Sequence, residues 1–154
     1  MGRFWFVEVD DASPRLKRVA YARVSSSDQR ADLARQKLRL LEHAQREGWL
    51  LDAVIEEVGS ALNGTRRKLL KVLANPSVGW LVVEHRDRLA RFGFEMVEAV
   101  LRARGGGVVV IDDREVDDDL VRDMTEVLTS MCARLYGRRS ARRRAERALQ
   151  AAAS

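Results

Sequence analysis

The chain has 154 residues, of which 46% are hydrophobic and 33% charged, enough for one globular domain with a sizeable core. Its longest apolar runs, such as Val108 to Ile111, are too short to span a bilayer, and its first residues lack the pattern of a signal peptide. A net charge of +5 and a pI of about 10.0 suggest an anionic partner. The lone Cys132 cannot form an internal disulfide, and His43 and His85 are too few for a His/Cys metal cage. A cytoplasmic location is expected, with no cofactor, no metal and no membrane partner.

Residues 1–17 read as a tail or edge element: Phe4, Trp5, Phe6, Val7 and Val9 could form a short strand before Ser13-Pro14 breaks the pattern. From Arg18 onward, strands alternate with helices. Val19 to Val24 is the first predicted strand. Ser26-Ser27-Asp28-Gln29 matches a capping box, and the helix behind it carries Ala34, Leu38 and Leu41 at helical spacing before ending at Gly48. Leu50 to Val58 reads as a second strand, Gly59 to Thr65 as a polar loop, and Arg66 to Leu73 as a short helix that stops before Asn75-Pro76. Trp80 to Glu84 is the third strand. A helix from Phe94 to about Arg104 leads through Gly105-Gly106-Gly107 to a fourth strand, Val108 to Ile111.

A single long helix is expected from about Asp117 to Ala148, acidic at its start and basic at its end, which complements the helix dipole. Leu120, Met124, Val127, Leu128, Met131 and Leu135 form one apolar stripe along it. No further strand follows to cover that stripe, so it packs on the domain, on a second copy of the chain, or on both. Strand-helix alternation implies an α/β fold: a mainly parallel four-stranded sheet with helices on both faces. The expected division is a tail or edge element (1–17), an α/β domain (18–113) and a long helix (114–150).

Sites in such sheets form beyond the carboxyl ends of the strands. Tyr21, Arg23 and Ser25 are two apart and share one face of the first strand, with Ser25 at its end. The loop after the second strand leads to Arg66, with Arg67 as its alternative. The third strand runs into Asp87-Arg88-Leu89-Ala90-Arg91, where a helical turn would put Arg88 and Arg91 on one side. One serine is thus surrounded by Arg23, Arg66, Arg88 and Arg91. A serine hydroxyl is a weak nucleophile, and guanidiniums donate in a fixed fork to phosphate oxygens. Arginine is a poor general base at neutral pH, and neither histidine falls in these motifs. Metal-free phosphoryl transfer fits this inventory better than a Ser-His-Asp hydrolase.

Tyr21-Ala22-Arg23-Val24-Ser25-Ser26-Ser27-Asp28-Gln29 resembles the start of the resolvase/invertase serine recombinases, and Asp87 to Arg91 is similar to their second motif. Glu84 to Glu95 and Ala133 to Ser140 narrow the resemblance to the serine transposase branch found in small insertion sequences. The resemblance implies that Ser25 is the nucleophile, forming a 5′-phosphoserine link to DNA and releasing a 3′-hydroxyl. It implies phosphate-binding roles for Arg23, Arg66, Arg88 and Arg91, an organising role for Asp87, and supporting roles for Tyr21 and Gln29. Double-stranded DNA is the implied substrate, in transposition or site-specific recombination, with a homodimer that pairs into a tetramer at synapsis.

Blander readings stand beside these. Gln29 could be only a capping partner, Asp87 only a helix cap, and the stripe ordinary core. Arg138, Arg139, Arg142, Arg143, Arg144 and Arg147 could be a solvated face, but their density favours contact with the DNA backbone. Members of the transposase branch carry an N-terminal winged helix-turn-helix, and residues 1–17 are too few for one, so a fragment or truncated gene is expected. The alternative function is therefore a truncated, non-catalytic DNA-binding or dimerising remnant. A metal-dependent nuclease would need clustered carboxylates at the strand ends, where Asp112 and Asp113 are the nearest set.

Overall fold

A computed structural model describes residues 14–60, 66–91, 93–114, 120–136 and 138–153; the side chains at 122, 136 and 138–141 lie outside that description. Of the expected N-terminal element, residues 1–13 fall outside it.

Four strands form one sheet: β1 (Lys17–Val24), β2 (Ala53–Val58), β3 (Val78–Val83) and β4 (Gly107–Val110). Their order is β2-β1-β3-β4 and every pairing is parallel. The β-branched residues of β1 and β3 favour a sheet covered on both faces. Between the strands lie a 3-10 turn (Ser27–Gln29), α1 (Arg30–Glu47), α2 (Arg67–Ala74), the single turn α3 (Arg86–Leu89) and α4 (Phe94–Ala103). The alternation of β1 separates two cores. Ala20, Ala22 and Val24 face α1 through Leu33 and Leu40. Val19 and Tyr21 face Leu69 and Val72 of α2, Leu89 of α3 and Phe94 and Leu101 of α4. Gly48 ends α1 in the left-handed conformation (φ 68°), its N–H returning to the carbonyls of Ala44 and Gln45.

This strand order has a functional consequence. The chain leaves β1 toward β2 on one side, and leaves β3 toward β4 on the other. The crevice between the carboxyl ends of β1 and β3 is the point where the winding reverses, and such points bind ligands. Ser25 follows β1 there, and the segment from Arg86 to Arg91 follows β3.

Two sequence expectations change. The buried face of α1 is Leu33, Gln36, Leu40 and Ala44, whereas Ala34 is exposed and Leu38 and Leu41 are 57% and 40% exposed. Counting only apolar residues selects the wrong face, because a polar residue, Gln36, sits in the buried one. The expected single long helix is two helices, α5 (Leu120–Tyr136) and α6 (Arg138–Ala153), which pack against each other. Gly137 lies between them. Glycine costs about 1 kcal/mol relative to alanine inside a helix, so this is the weakest position in a run of strong helix formers. The acidic start expected at residues 117–119 lies outside the described residues.

Candidate active site

Tyr21, Arg23 and Ser25 point to the α2–α4 side of the sheet, as their spacing requires. Tyr21 is fully buried and donates to Glu57 Oε2 at 2.7 Å. Glu57 also accepts the N–H groups of Lys68 (2.8 Å) and Leu69 (3.2 Å) in the first turn of α2. Burial, and after it the bond to Glu57, push the Tyr21 phenol well above its ordinary pKa. Tyr21 therefore joins β1 to the start of α2 and keeps its proton.

Arg23 is 0% exposed, and its fork is spread over three segments. Nε donates to the carbonyl of Arg88 (2.9 Å), Nη2 to that of Asp87 (2.7 Å) and Nη1 to that of Gly59 (2.9 Å). Nη1 also lies 3.4 Å from Ser25 Oγ. Burial lowers the Arg23 pKa from its ordinary value, and the Asp123 carboxylate opposes that shift. Arg23 thus clamps the loops after β2 and β3 onto the end of β1 and holds a positive charge beside the serine hydroxyl.

The Ser25 loop is fixed from its other side. Gln29 Oε1 accepts the N–H groups of both Ser25 (3.1 Å) and Ser26 (3.2 Å), so it does more than cap the turn. Gln36 of α1 pairs with the backbone of Arg23 on both sides: it accepts the N–H (3.1 Å) and donates to the carbonyl (2.9 Å). The register of β1 with β3 stops at Ala20, so Gln36 takes the place of a strand neighbour for Arg23.

The helical turn expected at residues 87–91 forms only as far as Leu89: α3 ends there and Ala90 is extended (φ −159°, ψ 128°). Arg88 and Arg91 therefore do not share one helical face and turn to different partners. Arg88 is buried and its Nη2 donates to Asp32 Oδ2 of α1 at 2.9 Å. For Asp32, burial acts upward, but the bond from Arg35 and the charge of Arg88 leave its pKa below the ordinary value. Arg91 is paired with Asp87 (Nη1 to Oδ2, 3.3 Å) and with Asp123 (Nε to Oδ2, 3.1 Å). Arg66 donates through Nη1 to the carbonyl of Leu89, whereas Arg67 is exposed. The serine, the four arginines and Asp87 therefore meet in one place.

Four residues of this arrangement are absent from the sequence-based set: Asp32, Gln36, Glu57 and Asp123. Asp123 is the most notable. It is 0% exposed, and its Oδ1 accepts a hydrogen bond from Ser25 Oγ at 3.3 Å. A signal for it exists, since Asp123 is an acid on the face of an otherwise apolar stripe, one turn before Val127. Gln36 carries a similar signal, set between Leu33 and Leu40 at helical spacing.

His85 turns elsewhere: Nε2 lies 3.1 Å from Glu84 Oε1 and Nδ1 is 2.9 Å from the carbonyl of Asp112. Glu84, fully buried, also accepts Arg35 and Arg39 of α1. Among the described residues, no cluster of three or more His, Cys, Asp or Glu is placed to hold a metal ion.

The family model for the resolvase N-terminal domain matches residues 18–154. The chain belongs to this family, the serine recombinases. Its fold is close to the C-terminal catalytic domain of IS1535 TnpA, an IS607-like serine recombinase (TM-score 0.79, 56% identity, 87% of this chain and 97% of that one). It is also close to the corresponding domain of ISC1926 TnpA, another IS607-like serine recombinase (TM-score 0.75, 33% identity, 90% of this chain and 100% of that one). An uncharacterized protein of Mycobacterium tuberculosis is 54% identical over 132 residues, covering 86% of this chain. The chain spans 45% of that relative's length.

In this serine recombinase domain, α5 and α6 carry the remaining predicted residues. Met124, Val127 and Leu128 are half-buried, whereas Leu120, Met131 and Leu135 are exposed. Arg142, Arg143, Arg144 and Arg147 are exposed on α6. Arg142 forms an ion pair with Glu146 at 3.2 Å. The side chains of Arg138 and Arg139 lie outside the described residues. No described helix is long and apolar enough to cross a membrane.

Proposed function

We propose that this domain cuts and rejoins double-stranded DNA, in transposition or site-specific recombination, through a phosphoserine at Ser25. The observation that supports this reading is the Ser25 hydroxyl 3.4 Å from the Arg23 guanidinium, at the mouth of the β1/β3 crevice, with Arg88 and Arg91 delivered by the adjacent strand end. Ser25 Oγ bonds to phosphorus, the bond from phosphorus to the 3′ oxygen breaks, and the serine's proton ends on that oxygen as a 3′-hydroxyl. The phosphoserine keeps the bond energy, so the reverse step rejoins the ends without ATP. Arg66, Arg88 and Arg91 bind phosphate oxygens, and Arg23 holds the loops that carry them. Arg23 spends most of its donors on backbone carbonyls, which favours a positioning role with one N–H directed at the reacting oxygen.

Guanidiniums that neutralise the developing charge make a metal unnecessary for this step. Incubating a protein that contains this domain with supercoiled plasmid carrying its element's ends should give a detergent-stable protein–DNA adduct in excess chelator as readily as in magnesium. Loss of the adduct on chelation, restored by magnesium, contradicts this mechanism.

The exposed part of the α5 stripe is the proposed dimer face, and two dimers would pair into a tetramer to cut two duplexes. Met131→Glu together with Leu135→Glu alters side chains that are 54% and 71% exposed, so the fold is retained. The pair should convert dimers to monomers in sedimentation velocity; unchanged dimers would place the interface elsewhere. The exposed arginines of α6 are the proposed contacts to the DNA backbone. Phosphate contacts confer affinity and little sequence information, so binding through them is expected to be steeply salt-dependent and nonspecific.

A further inference from the structure

The structure describes a site that is assembled but shut. Ser25 is 8% exposed, with the buried side chains of Arg23 and Arg88 beside it and that of Arg91 9% exposed. So small an exposed area leaves little room at Ser25 Oγ for a phosphodiester flanked by two sugars. The group in contact with both Ser25 and Arg91 is the carboxylate of Asp123, in the first turn of α5, 98 positions from Ser25 in sequence.

We propose that Asp123 is a built-in competitor of the DNA phosphate: it occupies the phosphate's seat on Ser25 and Arg91, and the site opens when α5 withdraws. This inference rests on the reading of Ser25 as nucleophile and Arg91 as phosphate ligand. A carboxylate and a phosphodiester offer the same recognition feature, two oxygens on one atom sharing one negative charge. Asp123 uses both. Oδ1 accepts from the Ser25 hydroxyl at 3.3 Å, and Oδ2 accepts from Arg91 Nε at 3.1 Å. A phosphate bonded to Arg91 and within attacking distance of Ser25, about 3–3.5 Å, would stand in the volume that Asp123 fills. Two anions in contact in a water-excluded site repel strongly, so occupancy by one excludes the other.

A role for Asp123 as proton acceptor fits the geometry less well. Charge-assisted O–H···O⁻ bonds run to about 2.5–2.7 Å, shorter than the contact to Ser25. The other oxygen of Asp123 is already engaged by Arg91. α5 packs chiefly on α6 and only sparsely on the sheet domain, so withdrawal of the pair would open neither core. Withdrawal removes the competing charge and uncovers Arg91 in one motion.

The test uses the chain as it stands and two readouts that need no DNA site. The first is an alkyl phosphonofluoridate, followed by intact mass: Ser25 Oγ bonds to phosphorus, the P–F bond breaks, fluoride leaves and the hydroxyl proton passes to solvent. The second is inorganic phosphate binding, followed by NMR at the Arg91 Nε–H. Asp123→Asn keeps the shape and removes the charge, and Asp123→Ser is a second variant should the first fail to fold. Either should be labelled at least about ten-fold faster than the parent chain and should bind phosphate about ten-fold more tightly. Ser25→Ala combined with either should not be labelled. Phosphate affinity equal to that of the parent overturns the proposal, as does slower labelling, which would make Asp123 a proton acceptor. Tighter phosphate binding with no labelling of any variant leaves the competitor in place and removes Ser25 as the nucleophile.

Discussion

Ser25→Ala is expected to abolish the covalent protein–DNA adduct while leaving the fold and DNA affinity nearly unchanged. The change removes one oxygen from a residue whose backbone is held independently, by Gln29 on its own N–H and by Gln36 two residues earlier. The hydroxyl's two contacts, to Arg23 and Asp123, are long at 3.4 and 3.3 Å, so their loss costs at most about 1 kcal/mol of stability. Removing a nucleophile from a covalent mechanism costs far more: at least about a thousand-fold in rate, with no covalent product at all. Adduct trapping on denaturing gels, with a melting curve as control, checks both halves. Equal adduct from the variant would mean that another residue attacks the phosphate.

Arg23→Ala is expected to be the most destabilising single change at the site. Its fork holds the carbonyls of Gly59, Asp87 and Arg88, which belong to the segments after β2 and β3. Alanine leaves these partly or fully buried acceptors without their donor and unties both segments from β1. Losing charged donors to several buried groups at once costs on the order of 3–5 kcal/mol. For a chain of this size that lowers Tm by roughly 10 °C. Arg23→Lys keeps the charge but cannot reach three carbonyls in a planar fork, so it should recover only part of the loss. Both variants should also lose adduct formation at temperatures where they remain folded, because Arg88 and Arg91 ride on the untied segment. An Arg23→Ala protein that melts like the parent would show that the clamp carries no weight.

How much of this was legible in the sequence depended on how local the signal was. The face shared by Tyr21, Arg23 and Ser25 follows from the period of a strand, which is set within a few residues, and the structure places it as expected. The turn that would pair Arg88 with Arg91 stops at Leu89 because Ala90 is extended, and the two arginines reach the site by separate routes. The buried face of α1 was hidden because it contains Gln36, which is buried only because β1 outruns its pairing with β3. That fact belongs to the sheet and leaves no trace in the helix. Asp123 was hidden for the same reason: its partners lie in β1 and after β3, and only the path of α5 brings them together. The two-helix end was partly visible, since Gly137 stands alone among strong helix formers. Regular charge along the segment nevertheless suggested one continuous helix.

The most direct measurement of the central claim is to locate the covalent bond itself. Adduct trapped on a nicked duplex is digested with protease and nuclease, and the remaining nucleotide-bearing peptide is sequenced by mass spectrometry. The account predicts a nucleotide 5′-phosphate on Ser25, in the segment Val24-Ser25-Ser26-Ser27, with a free 3′-hydroxyl on the other DNA end. A phosphate on Ser26 or Ser27, or a linkage through the 3′ end, would contradict it.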